Sequence, residues 1–136
     1  SLSHLRRTWF HQQAAESLKV AYQERTEAVA DQLAYHYEQA GVKDKAWAYH
    51  TIAGHYGRAQ YAHEAAVYHY QQALSLAPDG LTAAQVEGQL KVYEGLGEIL
   101  QALGTIRRIL SSIPPPVIWA NPWIGKSFKI LKRDLA

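Results

Sequence analysis

Between Ala62 and Pro78 the small and apolar residues Ala66, Val67, Tyr70, Ala73, Leu74 and Ala77 recur at steps of three and four, leaving Gln71, Gln72 and Ser75 off the stripe. The spacing predicts an amphipathic helix over 62–78. Ala66 and Ala73 admit a close neighbour, and Tyr70 fills the space between them. Pro78 ends the helix, because proline cannot continue the hydrogen-bond ladder, and Asp79-Gly80 favours a turn.

Similar stripes run along most of the chain. Residues 5–22 place Leu5, Trp9, Ala14 or Ala15, Leu18 and Tyr22 at helical spacing with no interior proline or glycine. After a polar link at 23–26, residues 27–40 carry Val29, Leu33, Tyr37 and Ala40, and Gly41 follows as a C-cap glycine would. Residues 43–59 then read as a helix with Ala46, Tyr49, Ile52, Ala53 and Tyr56 inward. Gly54 and Gly57 each weaken that helix by roughly 1 kcal/mol relative to alanine, so their expected use is close packing. Residues 81–103 predict a further helix, N-capped by Thr82, with a core stripe of Val86, Leu90, Tyr93, Leu96, Leu100 and Leu103. Gly104 is expected to stop it, and 105–112 to begin a short partner helix with Ile106, Ile109 and Leu110.

The remaining 113–136 form a second region. Pro114, Pro115 and Pro116 impose an extended segment, Asn121-Pro122 a turn, and 122–136 a short basic amphipathic helix with Ile124, Phe128, Leu131 and Leu135 on one face. Six of the 14 Lys and Arg fall after Gly104, against one acidic residue, so the basic excess belongs to the tail. Docking of that helix on the end of residues 1–112 is the simplest expectation. Pairing between copies through Trp119, Trp123 and the basic helix is the alternative, along with an acidic protein or membrane surface.

Composition narrows the chemistry. The 136 residues contain no cysteine, which removes disulfides, thiol nucleophiles and thiolate metal sites and agrees with a cytoplasmic location. Methionine is also absent, which suggests a piece of a longer protein. No stretch approaches the ~20 apolar residues of a membrane span. Arg6-Arg7 falls short of the basic face that nucleic acid needs. Among seven histidines, His50 and His55 are separated by five positions and His63 and His69 by six. Neither gives the i, i+4 spacing that sets two imidazoles on one helical face, so no metal or cofactor is expected. No Ser/His/Asp order or close carboxylate pair suggests catalysis, and Glu94 with Glu98 reads as a solvated wall.

Leu33, Ala34, Tyr37 and Gly41, then Ala46 and Ala53, then Ala66, Tyr70, Ala73, Leu74, Leu76 and Pro78 resemble the tetratricopeptide repeat. A third start lies at Leu96, Gly97, Leu100 and Gly104. Ala46 and Ala66 stand closer than the period of roughly 34 residues, so helix 43–59 would close one hairpin and open the next. Together with Arg6-Arg7, His11, Ala15-Glu16 and Leu18, the pattern over 4–104 is similar to the helical region of bacterial STAND signal-transduction ATPases and MalT-like activators. The resemblance implies an all-α, right-handed superhelix of about six or seven helices, non-enzymatic, acting as an interaction or sensing arm. A small-molecule inducer site and a self-association module are the alternatives. By the same resemblance, Asp31, Tyr35, Glu38, Thr51, His55, Arg58, Lys91, Glu94, Glu98 and Gln101 would line a groove for a peptide or partner helix. The Lys/Asn arrangement that clamps a C-terminal carboxylate is missing. No P-loop is present, so this segment would not bind the nucleotide itself.

Overall fold

The computed structural model describes residues 1–111. The helices are α1 (Leu2–Ala21), α2 (Ala30–Gln39), α3 (Lys43–Ala59), α4 (His63–Leu76) and α5 (Ala83–Ser111), with a 3-10 turn at Thr26–Val29 leading into α2. No strand occurs among the described residues. The chain divides into two compact units, Ser1–Leu96 and Gly97–Ala136. The proline segment and basic helix expected at 113–136 lie outside the described residues, as do the side chains of Ile106, Ile109 and Leu110.

In the first unit each helix packs against the next in order, α1 on α2, α2 on α3 and α3 on α4. Short turns set this order. After α2, Gly41 adopts φ +74; its N–H bonds the Glu38 carbonyl and that of Val42 bonds the Tyr37 carbonyl. After α3 the same two bonds recur, from Tyr61 to Arg58 and from Ala62 to Gly57, but the left-handed position is held by Tyr61 at φ +58. That conformation costs a residue with a Cβ about 1–2 kcal/mol. Tyr61 is 83% exposed and gains little packing in return. Tyr61→Gly is therefore expected to stabilise the protein by about 0.5–1 kcal/mol after glycine's greater unfolded-state entropy is subtracted. Gly41→Ala should act in the opposite sense, and denaturant midpoints at unchanged slope measure both.

Both glycines of α3 are used for close approach. A Cβ on Gly54 would stand 2.5 Å from the Tyr70 ring, and one on Gly57 would stand 3.3 Å from the Ala66 backbone nitrogen. Proline also acts as expected. Ala77 is extended at ψ 133, as a residue before proline must be, so α4 ends at Leu76. Thr82 Oγ1 accepts from the Gln85 N–H while Gln85 Oε1 accepts from the Thr82 N–H, which closes a capping box ahead of α5.

Other expectations are corrected. Helix 81–103 does not stop at Gly104: α5 runs through it to Ser111, so no separate partner helix begins at 105. Gly104 does not take the left-handed conformation that would end a helix. Its inclusion costs only about 1 kcal/mol. The buried side of α5 is Val92, Gly95, Ile99 and Leu103, whereas Val86, Leu90, Tyr93 and Leu100 are exposed. Gly95 sets this rotation within the first unit, because a Cβ there would lie 2.7 Å from the Tyr70 hydroxyl. On α3, Ile52 and Tyr56 are exposed and His50 is buried in their place. Leu5 and Trp9 of α1, and Tyr22 just past its end, are exposed as well, since α1 is covered only along the side that carries Ala15 and Leu18. The central cluster joins Ala15, Val29, Leu33, Tyr37 and Ala46, with Leu18, Val42, Tyr49 and Leu76 against it.

Candidate functional site

Tyr35-His36-Tyr37 on α2 recurs as Tyr68-His69-Tyr70 on α4. Positions two apart lie on nearly opposite sides of a helix, so one tyrosine of each triplet enters the core and the other faces outward. Tyr37 and Tyr70 are fully buried, while Tyr35 and Tyr68 are 53% and 52% exposed. The histidine between them falls at the boundary and reaches the preceding helix. There His36 Nδ1 meets His11 Nδ1 of α1 at 2.9 Å, and His69 Nδ1 meets His50 Nδ1 of α3 at 3.0 Å. Each contact needs one N–H and one lone pair, so each pair is held with an unprotonated acceptor.

These contacts assemble a band of imidazoles and phenols on the first unit. Tyr35 lies edge-on to His11 and His36, and Tyr68 edge-on to His50 and His69. Glu38 ties the two halves together, because its Oε2 accepts from His50 Nε2 at 3.1 Å. His50 is 2% exposed, and both its ring nitrogens are satisfied. Burial, and then the neighbouring His11, hold the His36 imidazole below its ordinary value. Burial and His50 lower His69 in the same way, opposed by the Asp31 carboxylate.

Beneath the band the buried phenols are fastened in two ways. The Tyr37 hydroxyl donates to Glu16 Oε1 at 2.6 Å, and Glu16 also meets Lys19 and Lys45. The hydroxyl bond holds the Glu16 carboxyl below its ordinary range, partly offset by burial and reinforced by the two lysines. Tyr37 is pushed up, by burial first and by Glu16 second. The Tyr70 hydroxyl instead shares a 2.8 Å hydrogen bond with His55 Nδ1. Burial, then the Arg58 and Lys91 cations, lower His55.

The groove residues expected from the sequence therefore divide. Asp31, Tyr35 and Glu38 fall together on the band. Thr51 donates to the Trp47 carbonyl of its own helix, and His55 is half-buried against Tyr70 with Arg58 and Lys91 near it. Lys91 pairs with Glu87 at 3.4 Å, and Glu94 is exposed. Glu98 and Gln101 belong to the second unit, where both are exposed. Spacing within one helix does not show the paired histidines, because each pair joins two different helices. The recurring Tyr-His-Tyr triplet was the available signal.

Beside the band, Asp31, Ala53, Tyr56, Gly57 and His69 line part of a cavity of about 180 Å³. Among the described residues no group of three or more histidines and carboxylates is arranged to hold a metal ion.

The described residues thus define an all-α protein of successively packed helices carrying a histidine and tyrosine band. No family model matches the chain, and no curated protein or solved structure aligns with it. None of the described helices is long and apolar enough to cross a membrane.

Proposed function

We propose that the chain is a tetratricopeptide-like, non-enzymatic scaffold that holds a peptide or partner helix along the face carrying Tyr35 and Tyr68, as the interaction arm of a larger bacterial signalling ATPase or regulator. The observation that carries this reading is the pair of half-exposed tyrosines, each braced against an imidazole that is itself hydrogen-bonded. A braced aromatic loses little rotamer freedom when a partner covers it, so more of its contact area is converted to affinity. Asp31 and Glu38 flank Tyr35 and favour a basic side chain over the ring. The recurrence of one contact set in successive hairpins supports a repeat scaffold.

The test selects a binding peptide from a displayed library with the unaltered chain and measures its affinity for the Tyr35→Ala, Tyr68→Ala double variant. The expected loss is tenfold or more, equivalent to about 1.4 kcal/mol. Helicity and thermal midpoint should stay near their starting values, because both side chains face solvent. Unchanged affinity would sink the assignment.

A further inference from the structure

Glu38, His50 and His69 form a chain of hydrogen bonds that fixes where each imidazole carries its proton. Glu38 Oε2 accepts from His50 Nε2 at 3.1 Å, so the N–H of His50 lies on Nε2. In the neutral ring Nδ1 then holds a lone pair, and it accepts from His69 Nδ1 at 3.0 Å. The proton of His69 therefore lies on Nδ1. Its Nε2 is left as an acceptor without a partner among the described residues.

His69 lines the cavity beside the band, together with Glu27, Asp31 and Tyr56, and the small residues Gly57 and Ala65 leave the space unfilled. Glu27 and Asp31 stand four residues apart, in the 3-10 turn and at the start of α2. Neither carboxylate accepts a hydrogen bond or forms an ion pair among the described residues. Asp31 is close enough to His69 to oppose the lowering that burial and His50 impose on that ring. No lysine or arginine lines the cavity.

That balance selects the ligand. An anion would face two like charges, and a neutral donor would satisfy His69 while leaving both carboxylates uncompensated. A bare metal ion is not suited either, because among the described residues no three histidine and carboxylate groups are gathered closely enough to hold one. A cation with several N–H groups can bridge the wider spacing, and its charge-assisted bonds to carboxylates are the stronger kind. The Tyr56 ring, partly exposed at the same cavity, offers it an aromatic face.

We propose that this cavity binds an ammonium or guanidinium group, presented as a lysine or arginine side chain by the partner polypeptide, with His69 Nε2, Asp31 and Glu27 accepting its N–H groups. Only the source of the cation rests on the peptide-binding reading; the acceptor set does not depend on Tyr35 or Tyr68.

The experiment titrates Nα-acetyl-argininamide, Nα-acetyl-lysinamide and the neutral Nα-acetyl-citrullinamide separately into the isotope-labelled full chain at neutral pH, followed by NMR. In the unliganded chain, long-range proton–nitrogen spectra should place the His69 proton on Nδ1. At least one cation should shift His69 Nε2 saturably and bind about fivefold or more tighter than citrullinamide, since charge-assisted bonds exceed neutral ones. The tighter of the two cations identifies the side chain. Asp31→Asn with Glu27→Gln should weaken that binding by about fivefold or more at unchanged helicity, because both side chains are exposed. Tyr35→Ala with Tyr68→Ala should leave it nearly unchanged, so a failure of the tyrosine reading and a failure at the cavity are separate results. Equal binding of citrullinamide, no saturable shift with either cation, or shifts that survive the acidic-pair substitution would each overturn the proposal. So would a His69 proton on Nε2.

Discussion

Tyr37→Ala is expected to destabilise the first unit by about 3–5 kcal/mol, the cost of removing a large buried aromatic from a close-packed site. The position joins three separate contributions. The ring is fully buried within the cluster of Ala15, Val29, Leu33 and Ala46, it stacks on Tyr49, and its hydroxyl donates to Glu16. Against a typical domain stability of about 5–15 kcal/mol, such a loss leaves little margin. Tyr37→Phe separates the hydroxyl from the ring and should cost about 1–2 kcal/mol. That is the low end for a bond to a carboxylate, because Glu16 is partly exposed and regains water when the phenol is gone. Denaturant unfolding of both variants decides the matter. Equal losses for alanine and phenylalanine would place the stability in the hydrogen bond rather than in the packing.

Acidification from pH 7 to pH 5 is expected to lower the unfolding midpoint. His36, His55 and His69 are held below the ordinary imidazole value of 6.5, chiefly by burial. The folded chain therefore binds fewer protons than the unfolded chain in this range. Stability rises with pH wherever the unfolded state binds more protons. Their contribution is thus complete above about pH 6.5 and is lost as the pH falls through the lowered folded values. The groups facing them act in known directions. Arg58 and Lys91 deepen the effect at His55, and Asp31 opposes it at His69. Double protonation of a histidine pair would also bring two N–H groups face to face at about 3 Å. Glu16 loses its contribution only at lower pH, as the pH falls below 4.5 and through its depressed folded value. The His36→Asn, His69→Asn double variant should flatten the pH 7 to 5 limb and leave the more acidic limb in place. Thermal melts across pH 4 to 8 test this, and a limb unchanged by the substitutions would exclude the imidazole pairs as its cause.

The turns were legible because their signals are local. Gly41 and Pro78 act on their own backbone dihedrals, so α2 and α4 end where glycine and proline imply. Gly54 and Gly57 were also legible in kind. Two costly glycines inside one helix call for close packing, although Tyr70 and Ala66 as their neighbours could not be read from spacing. Gly104 misled for the matching reason. Glycine permits a helix stop without enforcing one, and nothing local distinguishes a C-cap from a tolerated interior position. The rotation of α5 misled as well. Of its most hydrophobic stripe Leu103 is buried but Val86, Leu90, Tyr93 and Leu100 are exposed, because in the first unit Tyr70 requires a residue without a side chain opposite it and so turns Gly95 inward.

Of the candidate site, Tyr35, Asp31 and Glu38 could be named in advance, whereas the four histidines that brace the tyrosines could not. The sequence by itself determined the helical character of the described residues, most of their helix limits and the Tyr70-centred helix that packs on α3, because 3.6-residue periodicity and turn chemistry are properties of neighbouring residues. Only the tertiary structure decided that His50 is core, that His11 meets His36 and His50 meets His69, and that Tyr37 stacks on Tyr49. Those outcomes depend on which side chains two separate helices bring within 3 to 6 Å, a distance that no spacing along one helix encodes.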